Sequence, residues 1–440
     1  MRNLLLSLIF LAGFFFLPTN TITATDAPKT LEDTLLIKLR KARTPLDSIK
    51  VLYDLFDSSG RARQGYYGHI LLHTAGRAHD YASQNDMLRQ LSVIYAADDS
   101  MMALIKRHVA HMPNSIDQHI TEIFVNHQVL ATKAQNMSPK ERNRRIVELI
   151  TENKRTPSKK TYARIHQLYS ICVLLGYNSK GMLYLEMLDR LGKLIETLPS
   201  EAYPLYNQYY TALANIYTNS DRYANAVEAD RKLLKVISDL EKKYAAQGRR
   251  YRSYDSNRYL CYRRMLSNYR ALKEGEIVDL YNKIRDMTTR DSDVAANEEA
   301  NPRALAYYLM GTRQYAAAVP VLHRLLEYPH LQPTQRRQAL KELSIAAEAT
   351  GDKEMLLRSL KEYTAIVEQF DSARMAESID EIDIRYQFNL LQRENVRLQE
   401  EALQDQKSFD QHIRIYLIIA IAALVVAVIT SVIAFRRRRR

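Results

Sequence analysis

The densest run of chemistry-bearing side chains lies between Tyr244 and Arg270, where Arg249, Arg250, Arg252, Arg258, Arg263 and Arg264 interleave with Tyr251, Tyr254, Tyr259 and Tyr262. Guanidinium forks bind carboxylates through paired hydrogen bonds, and an arginine-tyrosine alternation suits stacking on bases and pairing with phosphates. Arg249, Arg250, Arg252, Tyr254, Arg258 and Tyr262 are therefore candidate ligand-binding residues for a peptide carboxylate or an anionic glycan. The plainer reading is a long helix pair with its tyrosines in the core and its arginines in solvent. A second concentration holds seven of the 11 histidines between His69 and His127, with His69/His73 and His108/His111 spaced to share a helix face. No carboxylate or thiolate is grouped with them at a metal-site spacing, so neither metal nor cofactor is expected. The sequence has no glycine-rich phosphate loop, nucleophile elbow or zincin helix, and the expectation is a non-catalytic protein.

The segments that position these residues are bounded by two apolar runs. Met1-Arg2-Asn3 followed by Leu4 to Leu17, with Pro18 and a threonine-rich stretch behind, has the form of a secretory signal over 1–24, with Ala24 or Ala27 as a cleavage position. Ile415 to Phe435 carries no charge over 21 residues, which at about 1.5 Å per residue matches a hydrocarbon core of about 30 Å. That run predicts one transmembrane helix over 413–435. Arg436 to Arg440 follow as a basic tail, which the positive-inside rule places in the cytoplasm. The expected location is a bacterial inner membrane, single-pass, with the body in the periplasm. Of the net charge of +13, Arg2 and Arg436 to Arg440 supply a large part, so the body is only modestly basic, and an exported body excludes nucleic acid as a partner. Cys172 and Cys261 are the only cysteines, and both sit in apolar helical patterns as expected buried thiols.

Between the ends, apolar residues recur at three- and four-residue spacing without strand-like alternation, and glycine and proline are sparse at 12 each. The fold class is all-α. Thr44-Pro45, Ser138-Pro139, Thr156-Pro157 and Asn301-Pro302 mark helix starts, and Ser138 with Glu141 and Ser378 with Glu381 read as capping boxes. The acidic segment Asp291 to Glu299 reads as a loop between repeats. A pattern then recurs: Leu213-Ala214, Tyr217, Tyr223 and Ala226; Leu305-Ala306, Leu309, Tyr315 and Ala318; Leu343-Ser344, Ala347, Gly351-Asp352, Leu356 and Leu360; and, more loosely, Leu168-Tyr169, Cys172, Gly176, Gly181 and Leu185. These residues resemble the interlocking positions of the tetratricopeptide repeat family. The interval between the copies at Ala226 and Ala318 has room for one more pair between Tyr251 and Met287. Divergent helical repeats are expected over 30–150, with Leu91-Ser92, Tyr95 and Leu104 as a worn copy, and tetratricopeptide-like repeats over 151–375. The resemblance implies an α-solenoid with a groove that holds a protein or peptide.

Over 381–412 the spacing becomes heptad-like. Ile384, Phe388, Leu391, Asn395, Leu398, Ala402 and Phe409 fall on alternating four- and three-residue steps, missing once at Asp405. A coiled coil is expected, with Ile384, Phe388, Leu391, Asn395 and Leu398 as the dimer seam and Asn395 favouring a parallel homodimer. This order of repeat body, rod, span and basic run resembles the extracytoplasmic sensor half of bacterial transmembrane signalling proteins of the histidine-kinase and helix-turn-helix regulator families. A half without their output domain is expected. The expected function is a membrane-anchored extracytoplasmic binding module acting as sensor or scaffold. The alternatives are a truncated regulator and an exported enzyme with an unfamiliar site.

Overall fold

The computed structural model describes residues 31–176, 181–247, 254–290 and 292–438, with side chains described except at 61–62, 292–293, 372–380, 395 and most positions from 405 onward. Among the described residues every regular element is helical, as the three- and four-residue periodicity demands. The expected signal segment lies outside them.

Contacts divide the chain into two compact units, with the division between His79 and Asp80. The first contains α1 (Leu31–Lys41), α2 (Pro45–Ser58) and α3 (Arg61–Arg77). Thr44 starts α2 as its spacing predicts, accepting from the Asp47 N–H at 3.1 Å, with Pro45 at the first helical position where no amide donor is missed. Leu35, Leu52, Leu55, Phe56 and Leu71 are buried. The Tyr67 hydroxyl donates to Glu32 at 2.6 Å, and burial with that carboxylate pushes the phenol up to about 12.

The second unit begins with α4 (Tyr81–Ile94), α5 (Asp99–Ala110), α6 (Ile116–Ala134) and α7 (Pro139–Arg155). The expected boundary at 150 falls inside α7. Ile146, Val147, Leu149 and Ile150 enter one core with Ile165, Leu168 and Ile171 of α8 (Thr161–Leu175), so no domain break exists there. Ser138 and Glu141 form the predicted capping box. Thr156 does not start a helix; it ends α7, its hydroxyl donating to the Glu152 carbonyl at 2.8 Å.

Next come α9 (Met182–Ile195), α10 (Tyr203–Asn219), α11 (Tyr223–Ala246), α12 (Asp255–Ser267) and α13 (Glu274–Arg290). The pair α12/α13 occupies the interval left open for one. The acidic segment is not a loop: α14 (Ser292–Ala300) fills it. The unit closes with α15 (Arg303–Gly311), α16 (Tyr315–Leu326), α17 (Pro333–Thr350) and α18 (Lys353–Arg438).

Three of the predicted copies share one turn. Between α10 and α11, Asp221 stands at φ 57° and the Arg222 N–H reaches the Tyr217 carbonyl at 2.8 Å. Between α15 and α16, Arg313 stands at φ 59° and Gln314 reaches Leu309 at 2.8 Å; between α17 and α18, Gly351 stands at φ 77° and Asp352 reaches Ala347 at 2.9 Å. A left-handed residue with a bond back over five residues closes a helix by satisfying its last carbonyls. The small residues Ala214, Ala226, Ala306, Ala318 and Ala347 are fully buried, which is what lets two helix backbones approach after such a turn.

The helix α18 runs unbroken through Ser378-Glu381, so the capping box expected there starts nothing, and Glu381 pairs with Arg385 at 3.0 Å instead. Its first turns pack on α17, and further along it packs on α7. The backbone of Ile415 to Phe435 is helical and continuous with it. Among the described residues no helix is long and apolar enough to cross a membrane, and most side chains of that run lie outside the described set.

Candidate functional site

Of the arginine-tyrosine stretch, Arg249, Arg250, Tyr251 and Arg252 lie outside the described residues. The described ones have partners within the chain. The Tyr254 ring meets Tyr203 edge-on with centroids 4.8 Å apart, and Tyr262 packs against the core beneath the Lys283 ammonium, 5.7 Å away. Arg258 binds Glu241, and Asp255 at 3.2 Å. Arg263 bonds the Tyr259 hydroxyl at 2.9 Å, Asn297 at 2.7 Å and Glu298 at 3.6 Å. The Arg264 Nε bonds Asp230 at 3.0 Å, and Arg270 with the Tyr269 hydroxyl bonds Glu342, each at 2.8 Å. Asp230 and Glu342 are wholly buried, and burial pushes both carboxyls up against the pull of their arginines. The described guanidiniums thus grip carboxylates of the same chain, where the plainer expectation had them in solvent.

The histidines are dispersed. His111 Nδ1 donates to the Arg107 carbonyl at 2.7 Å, and His119 stacks on Tyr162 with centroids 4.7 Å apart. Among the described residues no three metal-ligating side chains converge. Cys172 and Cys261 are buried free thiols, pushed by burial up to about 12.

One histidine stands apart. His127 of α6 is 1% exposed, its ring stacked on Tyr169 with centroids 3.7 Å apart and on His166 at 5.6 Å. Neither ring nitrogen has a hydrogen-bond partner of ordinary geometry. Burial drives the imidazole well below its usual value, the neighbouring His166 lowers it further, and a backbone contact with His166 opposes this in part. A buried polar group without a partner costs about 1–3 kcal/mol.

His127 lines a pocket of about 300 Å³ together with Gln128 and Ala131 of α6, and with Asn207, Gln208, Thr211, Ala212 and Asn215 of α10. Sequence reasoning did not single out any of them except through the loose histidine group. The α10 members at four-residue steps, Asn207, Thr211 and Asn215, form one polar stripe. The opposite stripe, Leu205, Tyr206, Tyr209 and Tyr210, is buried in the core. The Tyr206 hydroxyl donates to the Leu198 carbonyl at 2.6 Å, and Tyr209 lies across Gly192 of α9, where a Cβ would collide with its ring. Ser115 caps α6, accepting from the Gln118 N–H at 3.1 Å. The pocket is thus held from both sides by anchored helices. No lining residue carries a formal charge, and the buried Gln208 Oε1 also lacks a partner.

No family model and no curated protein matches the chain. The site is therefore read from its own chemistry. An uncharged, hydrogen-bonding pocket is suited to holding a polar ligand.

The expected dimer seam divides in two. Ile384 is 1% exposed in the core with Ile146, Tyr169 and Tyr206, and Phe388 packs against that core with the Lys154 ammonium 4.1 Å above its ring. Asn143 of α7 donates to Asp383 at 3.3 Å beside them. Ile384 and Phe388 thus pack against their own chain. Leu391 and Leu398 are 39% and 49% exposed, while the side chain of Asn395 lies outside the described residues.

Proposed function

We propose that this chain is a non-catalytic binding module that engages an uncharged stretch of polypeptide between α6 and α10, as a sensor or scaffold. The observation that carries the reading is the pocket itself, a space of about 300 Å³ walled by the uncharged polar side chains of His127, Gln128, Asn207, Gln208, Thr211 and Asn215. Amide and hydroxyl groups lining a concave space offer hydrogen bonds to an uncharged polar ligand. The repeated helix pairs of a tetratricopeptide-like solenoid provide the frame.

The apolar run 415–435 anchors the module in a bacterial inner membrane with the body in the periplasm. Below the body, a second copy of the chain pairs along α18 from Leu391 downward. This is supported by the continuity of one apolar helix face: it is covered by the body at Ile384 and Phe388, and carries Leu398 and Phe409, 49% and 64% exposed, further on. Ile384 and Tyr169 share one packed core, and Tyr169 stacks on His127. A ligand in the pocket and the seating of α18 are therefore connected through contiguous side chains. Signalling requires the ligand to favour one α18 arrangement over another.

The test is binding by the full-length protein in lipid nanodiscs, titrated with fluorescent uncharged peptides and followed by anisotropy. Saturable binding is expected, and a flat response up to millimolar peptide defeats the reading. In parallel, deletion of 415–440 releases the protein from washed membranes if the anchor is as proposed.

A further inference from the structure

Resting on the reading of the α6–α10 pocket as the binding site, we infer that its α10 wall takes the main chain of an extended peptide, at every second residue, and reads no side chain. Asn207, Thr211 and Asn215 line the pocket and recur every four residues of α10, so they follow one another at about 6 Å along the helix axis. An extended chain advances about 3.3 Å per residue and turns the N–H and C=O of every second residue to the same edge, a repeat of about 6.6 Å. A helical ligand spends those groups on its own backbone and presents no such edge. Among the described residues, no hydrogen bond engages the side chains of Asn207, Thr211 or Asn215. Thr218, further along the same helix, instead spends its hydroxyl on the Ala214 carbonyl at 2.8 Å. Asn207 and Thr211 are half-buried and Asn215 is exposed, and their polar atoms are open to solvent where the Oε1 of Gln208 is closed. A carboxamide donates through its NH2 and accepts through its oxygen, which matches the carbonyl and N–H that one extended residue shows on one edge; a hydroxyl serves either. Gln128 offers the same group from α6, and no lining residue carries a formal charge to favour an ionised side chain. Recognition through main-chain hydrogen bonds then selects conformation and not sequence.

The test is calorimetric titration of the full-length protein in nanodiscs with N-acetylated, C-amidated serine-threonine octapeptides. Two of them bear the same number of backbone N-methyl groups, placed at every second residue in one and in adjacent pairs in the other. Alternate methylation leaves one edge whole, whereas paired methylation interrupts both. The alternately methylated peptide binds about tenfold more tightly, the loss expected when side-chain amides face blocked residues. Asn207→Leu and Thr211→Val each lower its affinity about fivefold, and Asn215→Leu, at an exposed position where the fold tolerates the change, does the same. Equal affinity of the two methylated peptides, or binding that ignores all three variants, overturns the main-chain site while leaving polypeptide binding standing. Absence of binding by the unmethylated parent overturns both. Cellotetraose bound where no peptide binds assigns the pocket to a sugar and also overturns both.

Discussion

At the scale of single residues, the molecule commits a few of its charges inward. Arg264 and Asp230 illustrate what that costs and gains: two ions removed from water, held together by paired hydrogen bonds. Removing one partner leaves the other stranded, so Arg264→Leu destabilises the protein by about 3–5 kcal/mol, while adding Asp230→Leu to the same chain recovers most of the loss. Urea titration of the two variants checks this, and equal destabilisation by single and double variants would contradict it. His127 makes a different prediction. Its imidazole is held neutral when folded, with His166 beside it also lowered by burial. Below about pH 6.5 the unfolded chain takes up a proton that the folded chain refuses, so stability falls by up to about 1.4 kcal/mol per pH unit. His127→Phe flattens that acid limb of the stability curve, measured by thermal melting between pH 7 and 5. An unchanged slope would assign the acid sensitivity elsewhere.

At the scale of elements, the turns between paired helices carry the repeat. The same left-handed position is filled by Asp221, Arg313 and Gly351, and only the last is the residue type that adopts it without strain. Arg313 is exposed, so Arg313→Gly is expected to stabilise the protein by up to about 1 kcal/mol, and Gly351→Ala to destabilise it by about the same amount. Calorimetry on both tests whether the shared turn is energetically one device. The packing of α9 on α10 is less tolerant. Gly192→Ala forces the Tyr209 ring aside, at a cost of about 1–3 kcal/mol, and because α10 carries the pocket stripe, peptide affinity falls with it.

At the scale of the whole molecule, α18 packs on the body at Ile384 and carries exposed apolar side chains at Leu398 and Phe409. Ile384→Ala leaves a hole in the body's core and costs about 2–5 kcal/mol, whereas Leu398→Asp lies beyond the core contact and shifts melting by no more than about 0.5 kcal/mol. The proposed homodimer reverses the ranking: Leu398→Asp lowers the yield of cross-linked dimer in membranes and Ile384→Ala does not. If Ile384→Ala abolished dimers without touching stability, the seam would extend along the full heptad.

Local properties were legible in the amino-acid order alone. Helical periodicity, the caps at Thr44 and Ser138, the buried thiols and the small residues at Ala214, Ala226, Ala306 and Ala318 depend on neighbours within a turn or two. Even the missing pair α12/α13 followed from spacing. What could not be read is which distant groups meet. Arg264 reaches a carboxylate 34 residues away and Arg270 one 72 residues away, Glu298 of the expected loop pairs with Arg263 35 residues earlier in the chain, and Ile384 enters a core with Ile146 of α7. The pocket is the extreme case, since His127 and Gln208 belong to helices that other helices separate in the chain. A heptad or an arginine run records only that a face is apolar or charged; the partner that neutralises it is chosen by the packing of the folded chain, because desolvation and hydrogen bonding depend on three-dimensional neighbours.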